Sequence, residues 1–395
     1  MKKRFSLAST LTLMLLASAL TCMILIVTDS TKLRVFDNES DAAGREFAAL
    51  LQKIDEMFIG EFNIDEVSTA AMRAAVYSLD DRWSYYMTPA EYADYRNSTQ
   101  NQFAGIGVSV TIDEESGGML VKGIYRNSPA EKAGILVGEV IVEIDSDNLS
   151  GMTLDEMRAL LARPLGQTAQ LTVIRLGGNV ETLTVLYELV FSDPVSYEML
   201  SDKIGYIKID NFDGGSADSF ISAIDRLIEL GARAFVFDVR SNGGGRVNEM
   251  TKMLDYLLPE GEIFISVDKQ GKEDIIWSDA EMVDKPAVVL VNAQSYSAAE
   301  FFAAILREYD YASVVGEQTT GKSRSQKTEP LPGGGALHIS SGQYITKNRV
   351  ALFDVGGLVP DYTEYLTDEE YGLYTSGRLD KESDPQLALA ISVLD

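Results

Sequence analysis

The chain has 395 residues and is 46% hydrophobic, so it is long and apolar enough to form two or three globular units rather than a disordered protein. Its 60 Asp and Glu residues outnumber 34 Lys and Arg residues, which gives a formal net charge of −26. Because nucleic-acid binding depends on Lys and Arg that neutralise phosphates, this acidic excess argues against a nucleic-acid partner.

The chain has one cysteine and one histidine, which narrows the chemistry available to it. Cys22 lies in an apolar N-terminal stretch, so the rest of the chain has no disulfide framework, CxxC zinc site or cysteine nucleophile. Any Ser-His-Asp triad would have to use His338. That residue lies in the alternating segment 335–340, which predicts a strand, and a structural role on the strand is the simpler interpretation.

The N-terminus has the pattern of a membrane anchor. The basic residues 2–4 precede an uncharged, mostly apolar stretch at 5–27, close to the roughly 20 residues that cross a bilayer. We expect residues 1–28 to form a single-pass helix in the cell membrane, with everything after them extracytoplasmic. A cleaved signal peptide is the alternative, but no convincing cleavage site precedes residue 29.

A polar linker is expected at 29–43, followed by an N-terminal helical region at 44–100. Apolar residues recur at helical spacing from Phe47 to Phe58 and again from Asp65 to Leu79. A third, short helix is predicted from Pro89 to Tyr95. Nothing in this region looks catalytic, and its helices are interpreted as packing elements.

Short strands separated by glycine turns follow between residues 101 and 188. Ser128–Ile135 predicts a short capped helix closed by glycine, and a second helix is expected from Thr153 to Ala162. This order of elements resembles a PDZ domain, which adds the end of a ligand as a strand and holds its terminal carboxylate with loop amides. The resemblance implies that peptide is bound by Ala104, Gly105, Ile106, Gly107 and Val108, although Gly105 and Gly107 also suit an ordinary turn.

The region 189–395 has α/β character. Continuous apolar runs predict buried strands, and amphipathic stretches between them predict helices. The strands are expected at Ile204–Ile209, Ala234–Val239 and Ala287–Val291, and the helices at Ser216–Leu230, Val247–Leu258 and after Ser295. Open α/β sheets present reactive groups at the carboxyl ends of their strands, and the glycine-rich and serine-rich turns lie at such ends.

The glycine-rich turn Asn242–Gly245 allows three interpretations. It lacks the spacing of a phosphate-binding loop, because neither G-x-G-x-x-G nor a GK[ST] ending is present. Its backbone amides near a helix start could instead hold an oxyanion. It could also be a turn that only permits close packing.

The cluster Ser295–Glu300 opens a helix, and a serine there needs a base to become a nucleophile. Lysine is the remaining candidate when histidine is set aside, as in Ser-Lys variants of the triad. Lys322 follows a short strand, Ala312–Val315. Burial would have to lower its pKa from about 10.4 to about 7–8.

The chain as a whole resembles the C-terminal processing peptidases, or tail-specific proteases. The resemblance includes residues 78–86, Asp238–Gly245, Val289–Glu300, Gly316–Lys322 and Gly357–Asp361. In that family the nucleophilic serine precedes a small-small-Glu sequence and the base lysine follows 25 positions later. Ser297-Ala298-Ala299-Glu300 has this pattern, and Lys322 lies 25 positions after Ser297.

The resemblance implies further roles. Gln326 would orient Lys322, and the amides of Ala298 and Gly244 would stabilise the oxyanion. The chain departs from the family at Gly243, where proline is common, and at 323–325, where a glycine-containing stretch is more usual. No metal or organic cofactor is implied.

Together these features predict a mixed α/β protein with a helical N-terminal piece, an inserted PDZ domain and an α/β peptidase core behind a transmembrane anchor. The expected function is that of a membrane-anchored serine endopeptidase that cleaves proteins with a Ser-Lys dyad. Its PDZ domain would select substrates with free, hydrophobic C-termini. The alternative is a catalytically inactive scaffold that binds peptides through the PDZ domain.

Overall fold

The computed structural model describes residues 38–394. The predicted anchor at 1–28 lies outside this range. Within the described part, no helix combines the length and apolar character needed to cross a membrane. The chain divides into two compact units between Ala75 and Val76.

The first unit consists of helices. α1 (Asn38–Met57) is followed by α2 (Ile64–Tyr77), whose last residues pass into the second unit. α1 begins within the predicted linker 29–43, because polar composition does not distinguish an exposed helical turn from a linker. Ala42 and Ala43 are exposed there, and alanine has the highest helix propensity of all residues.

The second unit begins with β1 (Tyr85–Met87) and α3 (Pro89–Ser98). Thr88 caps α3, because its hydroxyl accepts a hydrogen bond from the Glu91 amide while the Glu91 carboxylate accepts one from the Thr88 amide. Proline follows directly at the first helical position, where its missing N–H costs nothing. The helix predicted at Pro89–Tyr95 is therefore present and one turn longer.

The next region contains the strands and helices of the expected PDZ domain. Its elements are β2 (Gln102–Gly105), β3 (Val108–Ile112), β4 (Met119–Ile124), α4 (Pro129–Lys132), β5 (Val140–Ile144), β6 (Asp147–Asn148), α5 (Leu154–Leu161), β7 (Thr168–Ile174), β8 (Val180–Leu186) and β9 (Glu188–Phe191). One sheet has the order β3-β4-β5-β7-β8, with β6 paired to β5. β2 pairs with β9, so the two ends of this region lie side by side.

The remaining elements form the largest part of the unit. They are β10 (Val195–Met199), β11 (Ile204–Ile209), α6 (Ser216–Glu229), β12 (Ala234–Asp238), α7 (Val247–Leu257), β13 (Gly261–Val267), β14 (Glu273–Ser278), β15 (Ala287–Val291), α8 (Ala298–Glu308), β16 (Ala312–Gly316), β17 (Arg324–Pro330), β18 (Ala336–Ile345), β19 (Tyr362–Thr363), α9 (Asp368–Thr375) and α10 (Pro385–Val393). The strands predicted at 204–209, 234–239 and 287–291 and the helices predicted at 216–230 and 247–258 are present to within one residue, and the helix expected after Ser295 begins at Ala298.

A six-stranded sheet in the order β10-β11-β12-β15-β16-β19 forms the centre of this part. All its pairs are parallel except β10 with β11. Both faces are buried: α6, α7 and α8 cover one, and α10 packs on the other against Val236, Val288 and Leu290. Burial on both faces explains why these strands are continuous apolar runs rather than alternating ones.

A second sheet has the order β1-β18-β13-β14, with β17 also paired to β18. Tyr85, Tyr86 and Met87 pair with His338, Leu337 and Ala336. The segment that the sequence assigned to the N-terminal helical region therefore supplies a strand to the sheet of the C-terminal region. Three residues are too few for alternation to reveal a strand.

A buried ion-pair network joins the end of β12 to α10. The Arg240 guanidinium lies 2.6 Å from the Asp238 carboxylate and 2.8 Å from that of Asp384, the cap of α10. Arg240 also donates to Gln386, and Tyr374 stacks on it at 4.6 Å. Because all these charges are removed from water, each depends on its partners. The network fixes the chain directly before the glycine-rich turn.

Candidate active site

Three loops meet at one edge of the central sheet. They follow β12, β15 and β16, which are adjacent and parallel, so their carboxyl ends lie together. The first loop contains Gly244, the second Ser297 and the third Lys322. Residues far apart in the sequence are brought together in this way.

Ser297 lies at the turn from β15 into α8 and has a positive φ of 58°. A non-glycine residue in such a conformation is strained and persists only where its surroundings hold it, which is frequent at functional sites. Its side chain is half-buried. Ser295 differs: it is fully buried, and its hydroxyl donates to the Val239 carbonyl at 2.7 Å, which joins two of the loops.

Gly244 packs directly against the Ser297 turn. A Cβ atom at this position would lie 2.8 Å from the Ser297 Cβ and 2.9 Å from the Ala298 nitrogen, so no other residue fits without a shift. The Gly244 amide donates to Asn242 Oδ1 at 2.8 Å. The Ala298 amide starts α8 and has no acceptor among the described residues. Of the two predicted oxyanion donors, Ala298 is free and Gly244 is engaged within its own turn.

Glu300 connects the serine turn to the lysine loop. Its fully buried carboxylate accepts hydrogen bonds from the amides of Ser297 (3.0 Å), Gly321 (2.8 Å) and Lys322 (2.5 Å). The Thr319 hydroxyl donates a fourth bond at 2.7 Å. Burial raises the pKa of Glu300, while these donors act in the opposite direction. One carboxylate therefore positions both predicted catalytic residues.

Burial lowers the pKa of Lys322 to about 8, and the nearby charge of Arg82 contributes to this shift. Asp81 and Glu300 oppose it. The Lys322 Nζ lies 4.1 Å from the centre of the Trp83 ring, whose face attracts the ammonium form. The amine is thus close to the pKa that a base at neutral pH requires.

Gln326 lies close to this lysine in the sequence but does not contact it through a hydrogen bond. Its Nε2 donates to the Arg324 carbonyl and to the Ser340 hydroxyl, each at 3.0 Å. Within the described part of the chain, no hydrogen bond joins Lys322 Nζ to Gln326 or to the Ser297 hydroxyl. The three predicted catalytic residues therefore share a site, but no hydrogen bond joins Lys322 Nζ to either of the other two.

All three line one cavity of about 310 Å³, together with His338 and Tyr344. The Tyr344 hydroxyl donates to the Lys322 carbonyl at 2.5 Å. Burial raises the pKa of Tyr344, and the nearby Ser297 side chain partly offsets the shift. Tyr344 therefore contacts both the serine and the lysine segment.

His338 lies on β18, as the alternating pattern predicts, but it also faces the cavity. Its Nδ1 lies 2.8 Å from the Thr328 hydroxyl, and its ring stacks on Tyr85 with 4.7 Å between centroids. Burial lowers its pKa to about 4, and the charge of Lys322 adds to the effect. It is a neutral imidazole at physiological pH, and no carboxylate in the described residues hydrogen-bonds to it.

Sequence reasoning missed the contribution of Trp83 and Tyr95, which lie in the region interpreted as packing helices only. Trp83 contacts Lys322 and also packs on Tyr296 with 5.6 Å between ring centroids, while Tyr95 lines the cavity. The pairing of β1 with β18 brings both there. Only the resemblance of residues 78–86 to the family pointed to this segment.

The predicted peptide-binding residues 104–108 run from the end of β2 to the first residue of β3, with Ile106 and Gly107 in the loop between them. The Ile106 and Gly107 carbonyls accept from the Ala130 and Tyr125 amides, whereas the amides of Ile106 and Gly107 have no acceptor among the described residues. β3 pairs with β4 on one edge only. Gly107 has a φ of +78°, which favours glycine. The loop thus offers free amides beside an open strand edge.

The described residues contain no group of three or more His, Cys, Asp or Glu side chains placed to hold a metal ion. The three loops instead offer a hydroxyl, a buried amine and backbone amides. This set suits nucleophilic attack on a carbonyl group.

The sequence matches two family models: residues 203–364 match peptidase family S41, and residues 120–175 match a PDZ domain. The chain is 30% identical over 322 residues to the carboxy-terminal processing protease CtpA of Bacillus subtilis, covering 79% of this chain and 68% of that protein. It is 31% identical over 326 residues to the chloroplastic carboxyl-terminal-processing peptidase 2 of Arabidopsis thaliana, covering 78% of this chain and 63% of the relative.

The fold also matches a solved structure. A putative S41 protease from Bacteroides fragilis superposes with a TM-score of 0.52 at 18% identity, over 82% of this chain and 89% of the other. This similarity concerns the fold. The comparisons agree with the mixed α/β architecture that contains a PDZ domain and a peptidase core.

Glu300→Ala should lower the free energy of unfolding by about 3 kcal/mol or more, because it leaves several buried donors without an acceptor. Glu300→Gln keeps one acceptor oxygen and should cost less. Chemical denaturation of the purified variants measures both, with the exposed Glu229→Ala as control. A loss equal to that of the control would mean that Glu300 does not hold the loops together.

Proposed function

Since the chain belongs to the carboxy-terminal processing proteases of peptidase family S41, which are serine-type hydrolases, we propose that it cleaves protein substrates with Ser297 as nucleophile and Lys322 as base. The observation that carries this proposal is the single cavity that contains both side chains. Ser297 enters it from a strained turn, and Lys322 has a pKa lowered to about 8.

The proposed reaction proceeds through an acyl-enzyme. Neutral Lys322 accepts the proton of the Ser297 hydroxyl, and the oxygen attacks the scissile carbonyl carbon. Lys322 then returns the proton to the leaving amine as the C–N bond breaks. A water molecule then attacks the ester carbonyl and gives its proton to Lys322, which returns it to the Ser297 oxygen as the ester C–O bond breaks and the new C-terminus leaves.

The developing oxyanion needs donors beside Ser297. The Ala298 amide supports this role because it adjoins the serine and is free. Gly244 is the second donor in our proposal, and it must release or share the bond that its amide makes with Asn242 Oδ1. Its close packing against Ser297 supports the assignment.

Catalysis also requires Lys322 Nζ to come within hydrogen-bond reach of the Ser297 hydroxyl. We propose that the amine moves from the Trp83 ring to the serine when substrate binds, and that Gln326 leaves Ser340 to orient it. Catalytic hydrogen bonds are often long or unformed in the absence of substrate. The hydrogen bond from the Tyr344 hydroxyl to the Lys322 carbonyl is kept in this proposal, so the lysine side chain moves while its backbone stays in place.

The PDZ domain supplies substrate selection in this proposal. The free amides of Ile106 and Gly107 would hold a terminal carboxylate, and the open edge of β3 would pair with the last residues of the substrate. PDZ domains also hold side chains of the bound strand in pockets, and we propose that the final side chain is hydrophobic here. Protein substrates with free, hydrophobic C-termini are therefore the proposed partners.

Ser297→Ala and Lys322→Ala should each reduce hydrolysis of an unstructured protein to background, and the double variant should lose no more, because the two groups act as a unit. Fragments identified by mass spectrometry provide the measurement, and His338→Ala is the matched cavity variant that should retain most activity. Cleavage by either dyad variant would contradict the assignment. Intact substrate with the native enzyme would favour the alternative of an inactive peptide-binding scaffold.

Lys322 accepts a proton only in its neutral form, and burial lowers its pKa to about 8. The value of kcat/KM should therefore fall about tenfold per pH unit below pH 8 and level off above it. Initial rates on a peptide without titratable side chains provide the profile. A midpoint near 4 would instead indicate His338, whose pKa is about 4.

Amidation of a long substrate's C-terminus should slow its cleavage, because it removes the charge that the loop amides would bind. Replacing the last residues by Asp or Lys should have a similar effect. Cleavage rates of matched substrates test this, and a short peptide that spans only the scissile bond serves as control. Equal rates with free and amidated tails would show that the PDZ domain does not select C-termini.

We also propose that residues 5–27 anchor the protein in the cell membrane, with the catalytic region on the extracytoplasmic side. The uncharged stretch after basic residues supports this. The full-length protein should stay with membranes after high-salt washing, because apolar burial is not weakened by salt. Release by salt would contradict an anchor, and a mature N-terminus near Asp29 would indicate a cleaved signal.

A further inference from the structure

The cavity that contains Ser297 also contains charged groups to which the proposed mechanism assigns no role. Besides Lys322, it is lined by Arg246, Arg324 and Asp213. Even with Lys322 neutral, two arginines against one carboxylate among the lining residues give the cavity a positive balance. The whole chain has a net charge of −26, so this balance is opposite to that of the molecule.

Arg246 interacts with the Asp213 carboxylate only through its charge, without an ion pair or hydrogen bond among the described residues. It precedes α7, and its backbone amide donates to the Phe212 carbonyl at 2.7 Å, which fixes its position beside the glycine-rich turn. Its half-buried guanidinium has no ion pair or hydrogen bond within residues 38–394. Arg324, by contrast, lies 3.6 Å from the Asp81 carboxylate. Arg240, also close in sequence, is enclosed by carboxylates.

Asp213 is the one carboxylate of the cavity. Burial raises its pKa to about 6, Glu249 adds to the shift, and Arg246 lowers it. Its side chain has no hydrogen bond among the described residues, whereas the Glu249 carboxylate accepts from the Ala217 amide at 3.1 Å. Asp213 therefore balances only part of the positive charge.

An unpaired arginine in a half-buried cavity suits one kind of ligand chemistry. A guanidinium presents paired N–H donors that match the two oxygens of a carboxylate, and such charge-assisted bonds are stronger than neutral ones. The cavity adjoins the serine, so a carboxylate bound there would lie in a substrate residue close to the scissile bond.

We propose that Arg246 makes this protein prefer substrates with a carboxylate beside the scissile bond, either an Asp or Glu side chain or the terminal carboxylate of a peptide cut near its end. The inference rests on the proposed role of Ser297, since it places the bond to be cleaved. It concerns the substrate residues on either side of that bond and is separate from the proposed binding of substrate C-termini by the PDZ domain.

The test uses short peptides that differ only at the residues on either side of the scissile bond, with Glu, Gln or Lys at each position. The native enzyme should cleave the preferred Glu peptide about tenfold faster, in kcat/KM, than its Gln counterpart. Arg246→Gln should reduce this ratio to near one, and Arg246→Lys should retain part of it. The exposed Arg226→Gln removes the same charge elsewhere and should leave the ratio unchanged.

Asp213→Asn should raise the Glu-to-Gln ratio, because it removes the carboxylate that competes for Arg246. Peptides that end at the second residue after the scissile bond, with a free or amidated terminus, separate a side-chain preference from a terminal one. A preference for Lys, or equal ratios in the native enzyme and Arg246→Gln, would overturn the inference. Undiminished cleavage by Ser297→Ala would instead contradict the proposed function.

Discussion

The buried carboxylate of Glu300 is the interaction on which the site depends. It accepts hydrogen bonds from both segments that carry the proposed nucleophile and base, although they follow different strands. A charged acceptor is needed because several donors converge where water does not reach. This explains why a fully buried glutamate follows the serine. Its hydrogen bonds hold the two loops together.

The pKa of Lys322 depends on two opposing effects. Burial disfavours its charge, whereas the Trp83 ring and the carboxylates of Asp81 and Glu300 favour it. A base whose pKa is close to the ambient pH can gain or lose a proton with little change in free energy. In the structure the amine rests on the ring, away from the serine. Whether the proposed base can reach Ser297 therefore depends on the conformation of the Lys322 side chain.

Much of the architecture could be predicted, because buried parallel strands are continuous apolar runs and the turns after them are rich in small residues. Ser297 and Lys322 were found by their spacing and by resemblance to a family, since serine and lysine are common on any surface. The contact of Trp83 could not be predicted, because it depends on a three-residue strand pairing with a distant one. The engagement of Gln326 with Ser340 depends on side-chain conformation, which sequence does not encode locally.

The Arg240 network has a consequence for the order in which the molecule is made. Its partner Asp384 follows 144 positions later in the chain. After the glycine-rich turn has been synthesised, the ribosome must still add the chain as far as Asp384 before Arg240 can form its second ion pair. Contacts between residues so far apart in the sequence form late in folding. The turn that would stabilise the oxyanion is therefore not secured in a nascent chain.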